Sequence, residues 1–290
     1  MGDDVLRVHF TAEDLARTRV AEGADPLWET VLSLHSLRQG RAEPALMAWR
    51  QYAVRNGPGP LRTLLPLVPP HGYFPDFLTP FAALDGVEPG LEAVMSTPRT
   101  RLRAELSQLS GHRALPGWAR GIGEGEPAAL RKLARSLRTY HHLAVAPSWS
   151  RIAGRVCADR ALRVHALGQS GTEAMLRTFG PLMRWRPPVL EVAYPVDREL
   201  FLQGRGLVLV PSYFCQDEPV ALADEELPPV LVYPVAETPD TLGAPAAPAT
   251  SEARGEHAEG PRFRLTGSGA LRDVPALIGA RAATRIALRR

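Results

Sequence analysis

Lysine is nearly missing from this chain: Lys132 is the sole one among 290 residues, and Asn56 is the sole asparagine. The cations are therefore almost all arginine, a bias that points to a GC-rich genome rather than to a particular chemistry. Cysteine is scarce as well. Cys157 and Cys215 cannot build a disulfide framework, and their wide separation does not resemble the paired thiols of a zinc knuckle or a redox site. Both are expected to be small buried apolar residues. No apolar stretch approaches the roughly 20 residues that a spanning helix needs, and the opening Met1-Gly2-Asp3-Asp4 is acidic where a secretory signal is basic. The expectation is a soluble, cytoplasmic protein with no membrane partner.

What is present suffices for a sizeable core, with 45% hydrophobic and 22% charged residues. The net charge of +3 does not by itself mark a nucleic-acid binder, but it is unevenly spread. Residues 99–163 carry 13 basic against 4 acidic side chains, whereas residues 186–260 carry 4 against 13. Blocks of opposite sign suit docking of one on the other, within a protomer or across a dimer. The basic block also suits a phosphate-contacting face.

Periodicity divides the chain. Val5 to Phe10 alternates like a strand, and Thr11 with Asp14 forms an N-cap and partial capping box for a helix. Leu27, Val31, Leu34 and Leu37 predict a second helix from Pro26 to near Gly40, and a third covers Pro44 to Val54. Gly57 to Pro80 is too proline-rich for a long helix or a central strand, so it is expected as an irregular loop packed by Tyr73, Phe74, Phe77 and Leu78. Thr97 and Pro98 start a helix carrying Leu102, Leu106 and Leu109, and Pro127 starts one that buries Leu130, Leu133, Leu137 and Tyr140. Trp149, Ile152, Val156 and Val164 mark the next, and a short helix runs from Thr172 to Phe179. After Pro187-Pro188 the period shortens to two: strands at Val189–Tyr194, Leu200–Leu202 and Leu207–Phe214 surround a glycine-bearing hairpin turn at 203–206. Pro229 to Val235 reads as one more strand, at an edge or a bulge. The fold class is α+β, with helices from 11–179 packed on a small, mainly antiparallel sheet from 5–10 and 188–235. Residues 1–236 form this domain. Residues 237–269 read as a flexible Pro/Ala/Gly-rich linker, and 270–290 as a lone helix with a basic stripe of Arg281, Arg285 and Arg289.

Several strings are familiar in combination: Leu6-Arg7-Val8-His9-Phe10-Thr11 with Asp14-Leu15-Ala16-Arg17-Thr18-Arg19, Asp25-Pro26-Leu27-Trp28-Glu29, and Gly72-Tyr73-Phe74-Pro75-Asp76-Phe77-Leu78-Thr79-Pro80. Arg184-Trp185-Arg186-Pro187-Pro188-Val189-Leu190-Glu191 with Tyr194-Pro195, and Leu227 to Val235, complete the set. Over residues 5–236 the chain resembles an actinobacterial family of ArsR-type winged-helix transcriptional regulators, in which a long N-terminal region precedes a C-terminal helix-turn-helix. The resemblance implies transcription regulation, a homodimer that reads two-fold DNA, and an unidentified small-molecule effector. It makes the 276–290 stretch the first helix of the DNA-binding domain, with Arg281, Arg285 and Arg289 facing nucleic acid. The recognition helix and wing do not follow, so that domain reads as truncated.

The ligand-binding candidates are Tyr73, Phe74, Asp76, Phe77, Trp185, Glu191 and Tyr194, apolar walls with hydroxyl handles and two carboxylate anchors. Tyr213 and Phe214 belong to the same aromatic set. Such residues serve equally as ordinary core. His141-His142 diverge by about 100° on a helix and do not present a two-ligand face. Ser170 in Gly168-Gln169-Ser170-Gly171 lacks the spacing of a nucleophile elbow and reads as a helix-to-helix turn, while the glycine-rich 121–125 stretch reads as a loop. No enzyme, cofactor or metal site is expected. The alternative function is a stand-alone small-molecule or protein-binding module that modulates an intact paralogue, with an enzyme third.

Overall fold

A computed structural model describes residues 4–38, 46–112, 114–216 and 218–235. The stretches expected as a linker and as a lone helix with Arg281, Arg285 and Arg289 lie outside these residues, as does the start of the third expected helix at Pro44.

Local chemistry explains the first elements. Strand β1 (Val5–His9) buries Leu6 and Val8 and turns Arg7 and His9 the other way. Thr11 then starts α1 (Ala12–Arg17): its hydroxyl oxygen accepts the Asp14 N–H at 3.2 Å while the Asp14 carboxylate accepts the Thr11 N–H at 2.8 Å, a complete capping box. After β2 (Arg19–Val20), the Asp25 carboxylate caps α2 (Pro26–Arg38) by accepting the N–H groups of Leu27 and Trp28, both at 2.9 Å. Of the expected stripe, Leu27, Val31 and Leu34 are buried and Leu37 is partly buried, but Glu29, Thr30 and Ser33 are buried too. Helix α2 is thus enclosed on nearly every side, and its hydroxyls bond internally: Thr30 to the Pro26 carbonyl and His141 Nδ1, Ser33 to the Tyr140 phenol.

Helices α3 (Met47–Asn56), α4 (Pro58–Leu64), α5 (Val87–Met95), α6 (Arg99–His112), α7 (Ala119–Gly123) and α8 (Pro127–Tyr140) build the helical layer. Helix α4 occupies part of the proline-rich stretch expected to be irregular. Pro58 and Pro60 fall in its first turn, where N–H groups have no helical partner to lose. Helix α7 likewise takes in Gly121 and Gly123, expected in a loop. The faces of α6 and α8 follow the sequence, burying Leu102, Leu106 and Leu109, and Leu130, Leu133, Leu137 and Tyr140. Thr97 does not cap α6; its hydroxyl donates to the Ala93 carbonyl at 3.1 Å. Arg99 and Arg103 pair with Glu124, Arg101 with Glu105 and Arg138 with Glu88, so these cations of the basic block are matched inside the helical layer itself.

The long helix α9 (Trp149–Arg177) breaks at Ser170 and Gly171, the latter at φ +79°, where the helix-to-helix turn is expected. Its buried face runs Ile152, Val156, Asp159, Arg163, so the expected Val164 is turned outward. The polar pair Asp159–Arg163 occupies the stripe and hides its period from a purely apolar count. Cys157, one position past Val156, is exposed, contrary to expectation; Cys215 is buried.

Among the described residues the strands divide between two four-stranded sheets. The first has the order β3 (Met183–Arg186), β4 (Val189–Ala193), β1, β5 (Arg198–Phe201), with β1 antiparallel to β4 and parallel to β5. The second has the order β2, β6 (Val208–Ser212), β8 (Val230–Pro234), β7 (Val220–Ala221), with parallel pairs β2–β6 and β6–β8. The α+β class holds, but the expected single, mainly antiparallel sheet does not: the described residues form two sheets with three antiparallel and three parallel pairs, because the chain leaves the first sheet after β5 and adds β6 and β8 in parallel to a second. Three local expectations change. The proline pair 187–188 does not precede the strands but turns β3 into β4. Residues 203–206 are no hairpin turn; they carry the chain from one sheet to the other, with Gln203 at φ 55° and Gly206 at φ 72°. A Cβ on Gly206 would sit 2.7 Å from the Arg17 backbone. Strand β8 lies inside its sheet, not at the edge, because Pro229 precedes the strand and Pro234 ends it, leaving the donors between them intact.

The second sheet is the middle layer. Val208, Val210, Val230 and Val232 on one face join the helical core around Leu27, Trp49 and Phe77. Leu209, Leu231 and Tyr233 on the other join Leu6, Val8, Leu190 and Trp185 of the first sheet, together with Met175, Leu176 and Phe179. The first sheet closes that second core with one face only.

Candidate functional site

The segment after α4 passes under the helical layer as a short turn, Asp76–Leu78, between Pro75 and Pro80. Phe74 packs edge-on to Trp28 at 6.0 Å and to the His35 ring at 5.3 Å, and Phe77 is fully buried. Between these two anchors the Asp76 side chain is forced inward, 5% exposed. Among the described residues its carboxylate finds no cation at hydrogen-bonding distance; one oxygen accepts the backbone N–H groups of Ala223 and Asp224 at 2.9 and 2.8 Å. The loop bearing those amides, which follows β7, is gripped from its other side. The Arg198 guanidinium donates to the carbonyls of Leu222 and Ala223 at 3.0 and 3.1 Å. A carboxylate on the donors and a guanidinium on the acceptors thus clamp one short stretch of backbone.

Glu105 stands beside this clamp. It lies on the α6 stripe with Leu102, Leu106 and Leu109, is 6% exposed, accepts the Phe77 N–H at 2.8 Å and pairs with Arg101 at 2.5 Å. Burial pushes the Asp76 carboxyl up to about 7, with the Glu105 charge adding to the rise and the Asp224 and Ala223 amides opposing it. Burial raises Glu105 too, against the Phe77 amide and Arg101. The Tyr73 hydroxyl is buried without a hydrogen-bond partner among the described residues, and burial together with both carboxylates drives its pKa upward. Tyr194 stands just beyond β4: burial raises its phenol, with Arg198 opposing. Two acids and the Tyr73 phenol therefore gather where the helical layer joins the loop of the middle sheet, with Tyr194 packed on the second core but near enough for Asp76 to act on it.

Of the residues singled out from sequence, Tyr73 and Asp76 come together here, while Tyr194 packs against the second core and reaches the clamp through Arg198. Phe74 and Phe77 form the wall behind them. Trp185 belongs to the other core, edge-on to Phe10 at 5.3 Å, with its indole N–H donating to Glu173 at 3.2 Å. Glu191 lies on the outer face of the first sheet, paired with Arg186 at 3.3 Å. Glu105 and Arg198 were not singled out. The i, i+3, i+4 spacing of Leu102, Glu105 and Leu106 is a legible signal for the first; Arg198 has none.

A second junction uses the same chemistry. Glu29 of α2, fully buried, accepts the N–H groups of Tyr213 and Phe214 at 2.8 and 3.0 Å and the Ser212 hydroxyl at 3.1 Å, tying the end of β6 to the helices. Burial pushes Glu29 and its neighbour Asp25 each up to about 7. His141, beside Thr30, is pushed the other way by burial, down to about 4. On the far side of the sheet, Asp159 accepts the Tyr233 hydroxyl at 2.7 Å and pairs with Arg163 at 2.8 Å, whose guanidinium lies 4.3 Å from the Phe179 ring centre.

Two openings accompany these junctions. One, about 10 Å³, is lined by Arg198, Arg205, Asp224 and Glu225 beside the clamped loop and has room for a single water. The other is an open cleft of about 390 Å³ at the α9 break, lined by Leu15, Ala16, Gly171, Thr172, Glu173 and Arg177. No group of three or more histidine, cysteine or acidic residues able to hold a metal ion occurs among the described residues, and no described helix is long and apolar enough to cross a membrane. Comparison of the chain with protein-family models, curated proteins and solved structures finds no match.

Proposed function

We propose that the chain is an ArsR-like transcriptional regulator, cytoplasmic and homodimeric, in which residues 4–235 sense a small-molecule effector and the arginine stripe of 281–289 contributes to DNA contact. The family resemblance of the strings around Asp14, Trp28, Asp76 and Trp185 supports the regulatory reading. The observation that carries the sensing part is the Asp76 clamp. Its carboxyl, brought to about 7 by burial, holds a loop 147 residues further along the chain, so its charge state and its two amide partners couple the helical layer to the middle sheet. A ligand that competes for Asp76 or for Arg198 frees that loop, and the free energy available to the response is that of two charge-assisted hydrogen bonds, about 3 kcal/mol.

The test is the binding of the full chain to the DNA upstream of its own gene and to a scrambled fragment of equal length, at about 50 and 200 mM salt. The reading predicts a preference for its own DNA that survives the higher salt, and a changed affinity in Asp76→Asn. Equal binding to both fragments that salt abolishes, or no binding, contradicts it and leaves a module that docks on another protein.

A further inference from the structure

The outer face of the first sheet carries a pattern that its strand register makes explicit. Arg184 lies opposite Glu191, Glu191 opposite Arg7, and Arg7 opposite Glu199. Across the sheet from β3 to β5 the charges therefore run plus, minus, plus, minus. The next row is Arg186, Val189, His9 and Phe201, and beyond the charged row stand Ala193 and Val5. This face is open. Arg184, Arg186, Ala193 and Glu199 are exposed, and Phe201, 54% exposed, stacks on the His9 ring at 4.4 Å without being covered.

A row of four alternating charges has a symmetry property. Read from the other end it is its own complement: minus, plus, minus, plus. A two-fold axis parallel to the strands and lying just outside the face reverses strand order while keeping each row in place. It sets Arg184 against the partner copy's Glu199 position and Glu191 against its Arg7 position, each twice. The same operation sets Arg186 over the Phe201 position, a cation–π geometry, and packs Val189, Val5 and Ala193 between the copies. A two-fold lying across the strands would instead set each strand over its own copy and put like charge over like. Charge and shape thus select a second copy of this chain, related by a two-fold, from among the possible occupants.

We infer that the outer face of the β3–β4–β1–β5 sheet is a homodimer interface, formed face to face about a two-fold axis parallel to the strands. The inference does not depend on the regulatory reading. Four strands of about five residues present a face on the order of 15 by 17 Å, well under the roughly 800 Å² per partner of a stable complex. The dimer is accordingly weak and reversible. It weakens with salt, because its pairs lie at the rim of solvent.

Sedimentation velocity of the full chain at about 10 to 100 μM and low salt tests this, with variants that reverse one charge each. Arg184→Glu sets minus against minus at two symmetry-related places, and Glu199→Arg sets plus against plus. Each alone is expected to weaken the dimer roughly tenfold to a hundredfold. Mixing the two variants restores all four complementary pairs, so the mixture is expected to form a heterodimer near wild-type strength. Neither residue touches the core, and an unchanged circular dichroism spectrum checks the fold of each variant. A wild-type monomer at these concentrations, as if another segment of the chain covered the face, overturns the inference. So does a dimer that ignores both reversals, or two variants that stay monomeric when mixed.

Discussion

The two sheets of the described residues have four strands each, yet they are held in opposite ways. In the middle sheet, β6 is buried at every position and β8 at all but its last, and the acids that meet the sheet are sequestered, with backbone amides, hydroxyls and, for Asp159, the buried Arg163 as partners. In the outer sheet β1 and β4 alternate between core and solvent, and the charged groups pair with one another in water. A buried carboxylate accepting two or three N–H or O–H donors cannot be removed without stranding those donors, whereas an exposed ion pair loses little when one partner goes. The middle sheet is where substitution destabilises the fold. The outer face is where substitution is free to change what the protein touches.

Glu29→Ala should break the middle sheet most severely. It leaves the Tyr213 and Phe214 amides and the Ser212 hydroxyl without their acceptor, at a cost of roughly 3 kcal/mol or more in chemical denaturation. Asp76→Ala strands two amides and should cost about 2 kcal/mol. Tyr233→Phe deletes one hydrogen bond while Arg163 still pairs with Asp159, so about 1 kcal/mol is expected by the same measurement. On the outer face, Arg7→Ala removes the 3.3 Å pair with Glu199 and should change monomer stability by less than about 0.5 kcal/mol, an effect that fades with salt. An Arg7→Ala cost as large as that of Glu29→Ala would erase the distinction between the sheets.

Much of this was legible in the sequence where the signal is local. The Thr11–Asp14 box, the faces of α6 and α8 and the break at Ser170–Gly171 follow from spacing and from which side chains satisfy orphan backbone groups. Strand partnership was not legible. Alternation in Val5–His9 reveals that one face is buried, but not that β4 lies on one side and β5 on the other, more than 180 residues away in the chain. The unbroken apolar run at 207–210 is the mark of a strand covered on both faces, and it distinguishes the middle sheet from the outer one. At the candidate site, Asp76 stood out as an acid among aromatics. Its partners did not, since the amides of Ala223 and Asp224 are backbone groups that any residue supplies.

The buried acids also give the fold a pH response of definite sign. Asp76, Asp25 and Glu29, at about 7 in the folded chain, hold protons that the unfolded chain releases near 4, so stability falls as pH rises from about 4 through 7. His35 and His141, lowered by burial to about 4, act in the opposite direction between about 4 and 6.5. These contributions overlap in the wild type, but a difference between two variants isolates one of them. The most direct test of the clamp is therefore the stability of Asp76→Asn relative to wild type, measured by denaturant unfolding at intervals from pH 4 to pH 8. The asparagine keeps a carbonyl oxygen for the Ala223 and Asp224 amides and cannot ionise. The account predicts that the variant gains steadily on the wild type as pH rises through about 7; a difference that stays constant across the range would contradict it.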